Sequence, residues 1–173
     1  MANRDFTKAD VQILLDQINE DNVSSLTPAL VSFGAVAIDG GGVRNTNITA
    51  TAEVGSGYTG NVQFKYDRVD LATIPGARST TFQQGNAVNI ADLIDEINTA
   101  YQLNLTSADF TDAAIPAFPG VEPNETQEVD VVAKATSKIF LGTLTLTIAA
   151  NDVPLSSVIT TTTLNGLTYN QPA

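Results

Sequence analysis

The sequence predicts an α+β fold, in which two amphipathic helices, at about 7–21 and 89–102, pack on mostly antiparallel sheet and hairpins. Three observations predict it. Apolar residues recur at helical spacing in those two segments. Elsewhere the period falls to two, the mark of half-buried strands. The helical phrase itself is used twice. Leu14-Leu15-Asp16-Gln17-Ile18-Asn19 returns 79 positions later as Leu93-Ile94-Asp95-Glu96-Ile97-Asn98, and residues 14–29 share seven identities with 93–108.

The first helix has an apolar stripe of Val11, Leu14, Leu15 and Ile18, with Asp16, Gln17, Asn19 and Glu20 on its other side. Thr7 is the expected cap, Asp10 completes a capping box, and Phe6 and Val11 take the two staple positions. In the second helix Ile90, Leu93, Ile94 and Ile97 repeat the stripe, with Asn89 or Asn86 as the cap. Each helix leads to Leu-Thr-(Pro/Ser)-Ala, at Leu26 and at Leu105, where a short helical turn is expected.

The strands follow. Leu30 to Ile38 is an apolar run ending at Gly40-Gly41-Gly42. Ile48, Ala50, Ala52 and Val54 alternate with polar residues, as do Val62, Phe64 and Tyr66. The glycine-rich Gly55-Ser56-Gly57-Tyr58-Thr59-Gly60 lies between the two runs and predicts a hairpin. That hexapeptide also matches the dinucleotide fingerprint, but it feeds a strand and so offers no helix terminus to a pyrophosphate. Residues 72–87 read as a long connection. Pro116, Pro119 and Pro123 mark a linker, and residues 129–135 and 140–148 form a second hairpin. Thr160 to Thr163 is a β-branched run before Asn165-Gly166, a tight-turn signal.

The phrase raises an internal duplication with half-repeats 1–82 and 83–173. The segments after the two copies share only β character, so the echo reads as two equivalent supports holding unequal sheets in one unit spanning 1–173.

Composition excludes more than it selects. The net charge of −11 opposes nucleic acid and anionic membrane surfaces as partners. With no Cys and no His, thiol nucleophiles, zinc-thiolate sites and a Ser-His-Asp triad are absent. Acid pairs such as Asp67/Asp70 and Asp109/Asp112 lack the aromatic platforms of a glycoside-hydrolase site, and Asp92, Asp95 and Glu96 lie off the apolar stripe as a solvated face. No catalytic, cofactor-binding or metal-ligating residue is predicted, and no run is long enough to span a membrane. The candidate contact residues are Tyr58, Tyr66, Asp67 and Arg68 around the central hairpin, with Thr160, Thr161, Thr162 and Thr163 as a strand able to join a neighbour.

Arg44-Asn45-Thr46-Asn47-Ile48-Thr49-Ala50, the glycine turn and Val62 to Leu71 resemble small virion structural proteins of tailed bacteriophages, as do Asp92 to Asn98 and Tyr101 to Thr106. The resemblance covers about residues 10–112 and rests on overall pattern. It implies a non-enzymatic subunit on a head, collar, tail or baseplate, with copies of itself and other virion proteins as partners. The alternative is a carbohydrate or cell-surface binding module using Tyr58, Tyr66 and Asp67.

Overall fold

The computed structural model describes residues 4–118, 125–151, 159, 161 and 162. In chain order it contains α1 (Asp10–Asn22), β1 (Val31–Phe33), β2 (Ala37–Ile38), β3 (Thr46–Ala52), β4 (Asn61–Tyr66), β5 (Val69–Asp70) and a 3-10 turn, Leu71–Thr73. Then come β6 (Thr81–Gln83), a 3-10 turn at Ile90–Leu93, α2 (Ile94–Tyr101), β7 (Phe110–Thr111), β8 (Thr126–Ala133), β9 (Phe140–Leu141) and β10 (Thr143–Ala149).

This corrects the α+β expectation. Among the described residues strand outweighs helix, 30% against 19%, and the sheets are mixed as well as antiparallel. β6 runs parallel to β10, and β5 runs parallel to β9. The segment read as a bare connection, 72–87, holds β6, an edge strand of three residues, too short for a period of two to stand out in the sequence. The second helix is also shorter than expected. Its first turn is 3-10, where Asn89 accepts from the Asp92 N–H and Asp92 returns the bond in a capping box. The α-helix proper starts only at Ile94.

α1 also starts later than Thr7. The Thr7 hydroxyl and N–H are both bound to Asp5 Oδ1, and Ala9 takes the cap position without a side-chain bond. Both helices end on a left-handed non-glycine residue, Val23 (φ 51°) and Gln102 (φ 57°). The asparagine of the repeated phrase holds each ending. Asn19 bonds Leu26 O and N at 2.8 and 2.7 Å, and Asn98 bonds Leu105 O and N at 2.9 and 2.8 Å. The segments that follow are turns, not helices, closed by Leu30 N–H to Thr27 O and Asp109 N–H to Thr106 O.

One sheet is built on β3, which pairs antiparallel with β1 and β2 along one side and with β4 along the other. The Leu30–Ile38 run is thus two short strands, and β2 is exposed. The second sheet has the order β6-β10-β8-β7. A contiguous core joins the two, with Ile13, Leu14 and Ile48 contributed before Leu71, and Ile97, Val131, Leu146 and Ile148 after it. Thr161 and Thr162 are exposed and in no strand, whereas Thr160 and Thr163 lie outside the described residues.

Candidate functional site

Alternation along β4 turns Val62, Phe64 and Tyr66 toward α1, while Asn61, Gln63 and Lys65 face away. Their antiparallel partners on β3 are Ala50, Ile48 and Thr46, which are buried. Between this face and α1 lies a groove of about 410 Å³. Ile13, Leu14 and Ile18 of α1, Ile48 of β3, and Phe64 and Tyr66 of β4 supply its apolar lining. Its rim is polar, with Gln17, Asp21, Arg44 and Asp67. Among the described residues no strand pairs with the outer edge of β4, so that edge presents unpaired N–H and C=O groups beside the groove. Val62, 57% exposed, sits at one end of β4, and Val54 and Tyr58 are exposed in the preceding turn.

A smaller depression of about 350 Å³ is lined by Arg4, Asp5, Arg78 and Tyr101. Its cations are engaged within the chain. Arg4 pairs with Glu20 and donates to Gln17 Oε1, and Arg78 donates to Tyr101 O at 2.9 Å.

The predicted contact residues meet different fates. Tyr66 donates its hydroxyl to Lys138 O at 2.6 Å, and burial pushes its phenol up to about 12. Arg68 donates Nε to the buried Thr46 hydroxyl and Nη1 to the carbonyls of Ala135, Ser137 and Phe140, at 3.0 to 3.4 Å. Val69 N–H adds a bond to Ile139 O at 2.8 Å. Two residues, Tyr66 and Arg68, therefore grip the loop 134–142 of their own chain. Asp67 stays at the surface, where the Arg44 guanidinium at 2.7 Å and the Asn45 N–H hold its carboxyl below the usual carboxylate range. Tyr58, 54% exposed, lies in the turn, and about 17 Å of strand separates it from Tyr66. The three residues of the carbohydrate reading are thus not gathered on one platform.

The acids are dispersed in structural roles. Asp70 accepts from Ala72 N–H, and Asp112 accepts from Ala91 N–H. Asp109 is buried and accepts from Thr106 and from the Ser137 hydroxyl at 2.8 Å. Among the described residues no three His, Cys, Asp or Glu side chains cluster as metal ligands, and no helix is long and apolar enough to cross a membrane. Sequence reasoning missed the groove. The signal available was the six-residue alternation of β4, which pairs with β3 across the glycine turn and has no further alternating run before residue 129 to take its other edge.

Neither characterised proteins nor solved structures gave a match to this chain. A family model matches residues 4–173, nearly the whole sequence: the chain belongs to DUF7941, a family of unknown function.

Proposed function

We propose that this protein is a non-enzymatic virion structural subunit, at a head-decoration, collar or tail-accessory position, that acts through contacts with other virion proteins and with copies of itself. The observation that carries the reading is the open edge of β4 above an apolar groove. An unpaired strand edge recruits a peptide segment through its backbone, and an adjacent apolar slot adds side-chain selectivity. The resemblance of residues 10–112 to small tailed-phage virion proteins sets the assembly in which such contacts operate. The −11 charge suits a position away from packaged nucleic acid.

Mass spectrometry of particles produced by the encoding genome tests the reading. The expected result is this chain at a fixed copy number per particle, with density lost at one location when its gene is deleted. Purified particles that lack the chain would overturn it.

A further inference from the structure

The strands before and after β6 follow one plan. β1 and β3 pair with Val31 opposite Ala52, and β7 and β8 pair with Phe110 opposite Ala133. Each longer strand then forms an antiparallel hairpin, β3 with β4 and β8 with β10. The inward pairs correspond, Ile48–Phe64 with Val129–Leu146 and Ala50–Val62 with Val131–Leu144. The plan breaks at one edge. β10 carries β6 in parallel, with Phe82 opposite Ile148 and its ring 6.0 Å from that of Tyr101 on α2. β4 carries nothing there among the described residues, and the matching space between β4 and α1 is the open groove.

β6 belongs to the stretch that leaves the first hairpin. The stretch that leaves the second is the carboxy-terminal tail, which aligns with the first at a constant displacement of 82 positions, where residues 70–83 and 152–165 share three identities in fourteen. Asp70-Leu71 becomes Asp152-Val153, and Thr80-Thr81-Phe82-Gln83 becomes Thr162-Thr163-Leu164-Asn165. The same displacement carries Tyr66 of β4 onto Ile148 of β10. Residues 153–173 hold no charged side chain, so this tail meets no repulsion at the edge of an acidic protein.

We propose that Thr163-Leu164-Asn165 of one copy pairs in parallel with β4 of a second copy, with Leu164 filling the α1–β4 groove as Phe82 fills its counterpart. The β6 register places Thr163 opposite Lys65, Leu164 opposite Tyr66 and Asn165 opposite Asp67. The inference deepens the assembly reading above and rests on its use of the β4 edge. The direction of contact assigns the tail to another copy. The loop 134–142 receives Tyr66, Arg68 and Val69, the Asp10 carboxylate at Lys138 and the ring of Phe6 at Phe140. Its counterpart, the turn 53–60, receives no hydrogen bond from any described residue beyond β6, and Val54 and Tyr58 stand exposed in it. A one-way, head-to-tail relation does not close inside the chain; it continues into the next copy and generates rings or filaments.

Disulfide trapping tests this, because the natural chain has no cysteine. A Lys65→Cys variant is mixed with a Thr163→Cys variant under mild oxidation, with Thr160→Cys as an off-register control. The expected result is a covalent two-chain species that exceeds the control at least fivefold and drops at least tenfold when Leu164→Asp is added to the tail variant. Light scattering on the full chain should show self-association, and Leu164→Asp should return it to the mass of one chain with an unchanged circular dichroism spectrum. No in-register species, or a Lys65→Cys/Thr163→Cys double variant that closes within a single chain, overturns the proposal. Trapping by a protein that is absent from particles would leave this inference standing and remove the virion reading. Incorporation into particles without trapping would do the reverse.

Discussion

The Tyr66 hydroxyl donates to the Lys138 carbonyl at 2.6 Å, across 72 positions of sequence, and ties the end of the first hairpin to the loop that precedes β9. Burial pushes the Tyr66 phenol from 10.0 up to about 12 in the folded chain. The folded state therefore keeps its proton at a pH where the unfolded chain has lost it. Stability is fully present below pH 10 and declines as pH rises toward 12. Burial raises Tyr101 as well, adding a decline of the same sign. Urea unfolding followed from pH 8 to 11.5 should show a falling midpoint, and Tyr66→Phe should make the fall shallower. Identical slopes in the two proteins would mean that Tyr66 is solvated.

Arg68 holds the same loop by geometry. One guanidinium nitrogen faces three carbonyls, and a second reaches the Thr46 hydroxyl. A lysine ammonium is a point donor on a flexible stem and cannot span both sets. Arg68→Ala and Arg68→Lys should each lose about 2 kcal/mol, the scale of a charged hydrogen-bond donor removed from partly buried acceptors. Amide exchange at Phe140, whose N–H is bound to the Ser137 hydroxyl at 3.2 Å, should accelerate in both. A lysine variant as stable as the natural protein would contradict this account.

The contrast between what the sequence reveals and what it hides runs along sequence separation. The helix stripes and the Asn89 cap involve partners within one or two turns, and they are legible. The β3–β4 hairpin is legible too, since Gly55, Gly57 and Gly60 all take the left-handed region on its turn. β6 is not, because Thr81-Phe82-Gln83 is three residues whose parallel partner lies 66 positions away. Tyr66, Asp67 and Arg68 stand out as a contact patch from composition alone. Nothing local tells that Tyr66 and Arg68 reach the loop 134–142 of the same chain. Thr7 has every local mark of a cap, and Asp5 captures it instead.

Asn19 and Asn98 make the same two backbone bonds, to Leu26 and to Leu105, but in different surroundings. Leu105 is buried, and Leu26 is only partly so. Water can replace the lost partner at Leu26 more readily than at Leu105, so the two deletions should differ. Asn98→Ala should cost about 2 kcal/mol, and Asn19→Ala about half that. At this chain length the first corresponds to a melting shift of about 4–8 °C by calorimetry. Equal shifts would place both turns in the same solvent environment.

Gly142, between β9 and β10, has φ +76°, and a Cβ there would collide with the Asp70 carboxylate, whose chain position is fixed by the β5–β9 pairing. Gly142→Ala therefore combines left-handed backbone strain with a steric conflict, and it should cost about 2–3 kcal/mol. Gly76, at φ +54° with open space around it, provides the comparison. Gly76→Ala carries the backbone strain alone, about 1 kcal/mol. Asp70→Ala in the Gly142→Ala background removes the collision along with the bond to Ala72 N–H, so part of the lost stability should return. Denaturation of the four proteins resolves the two contributions. If Gly142→Ala is no worse than Gly76→Ala, the Asp70 side chain does not lie against Gly142.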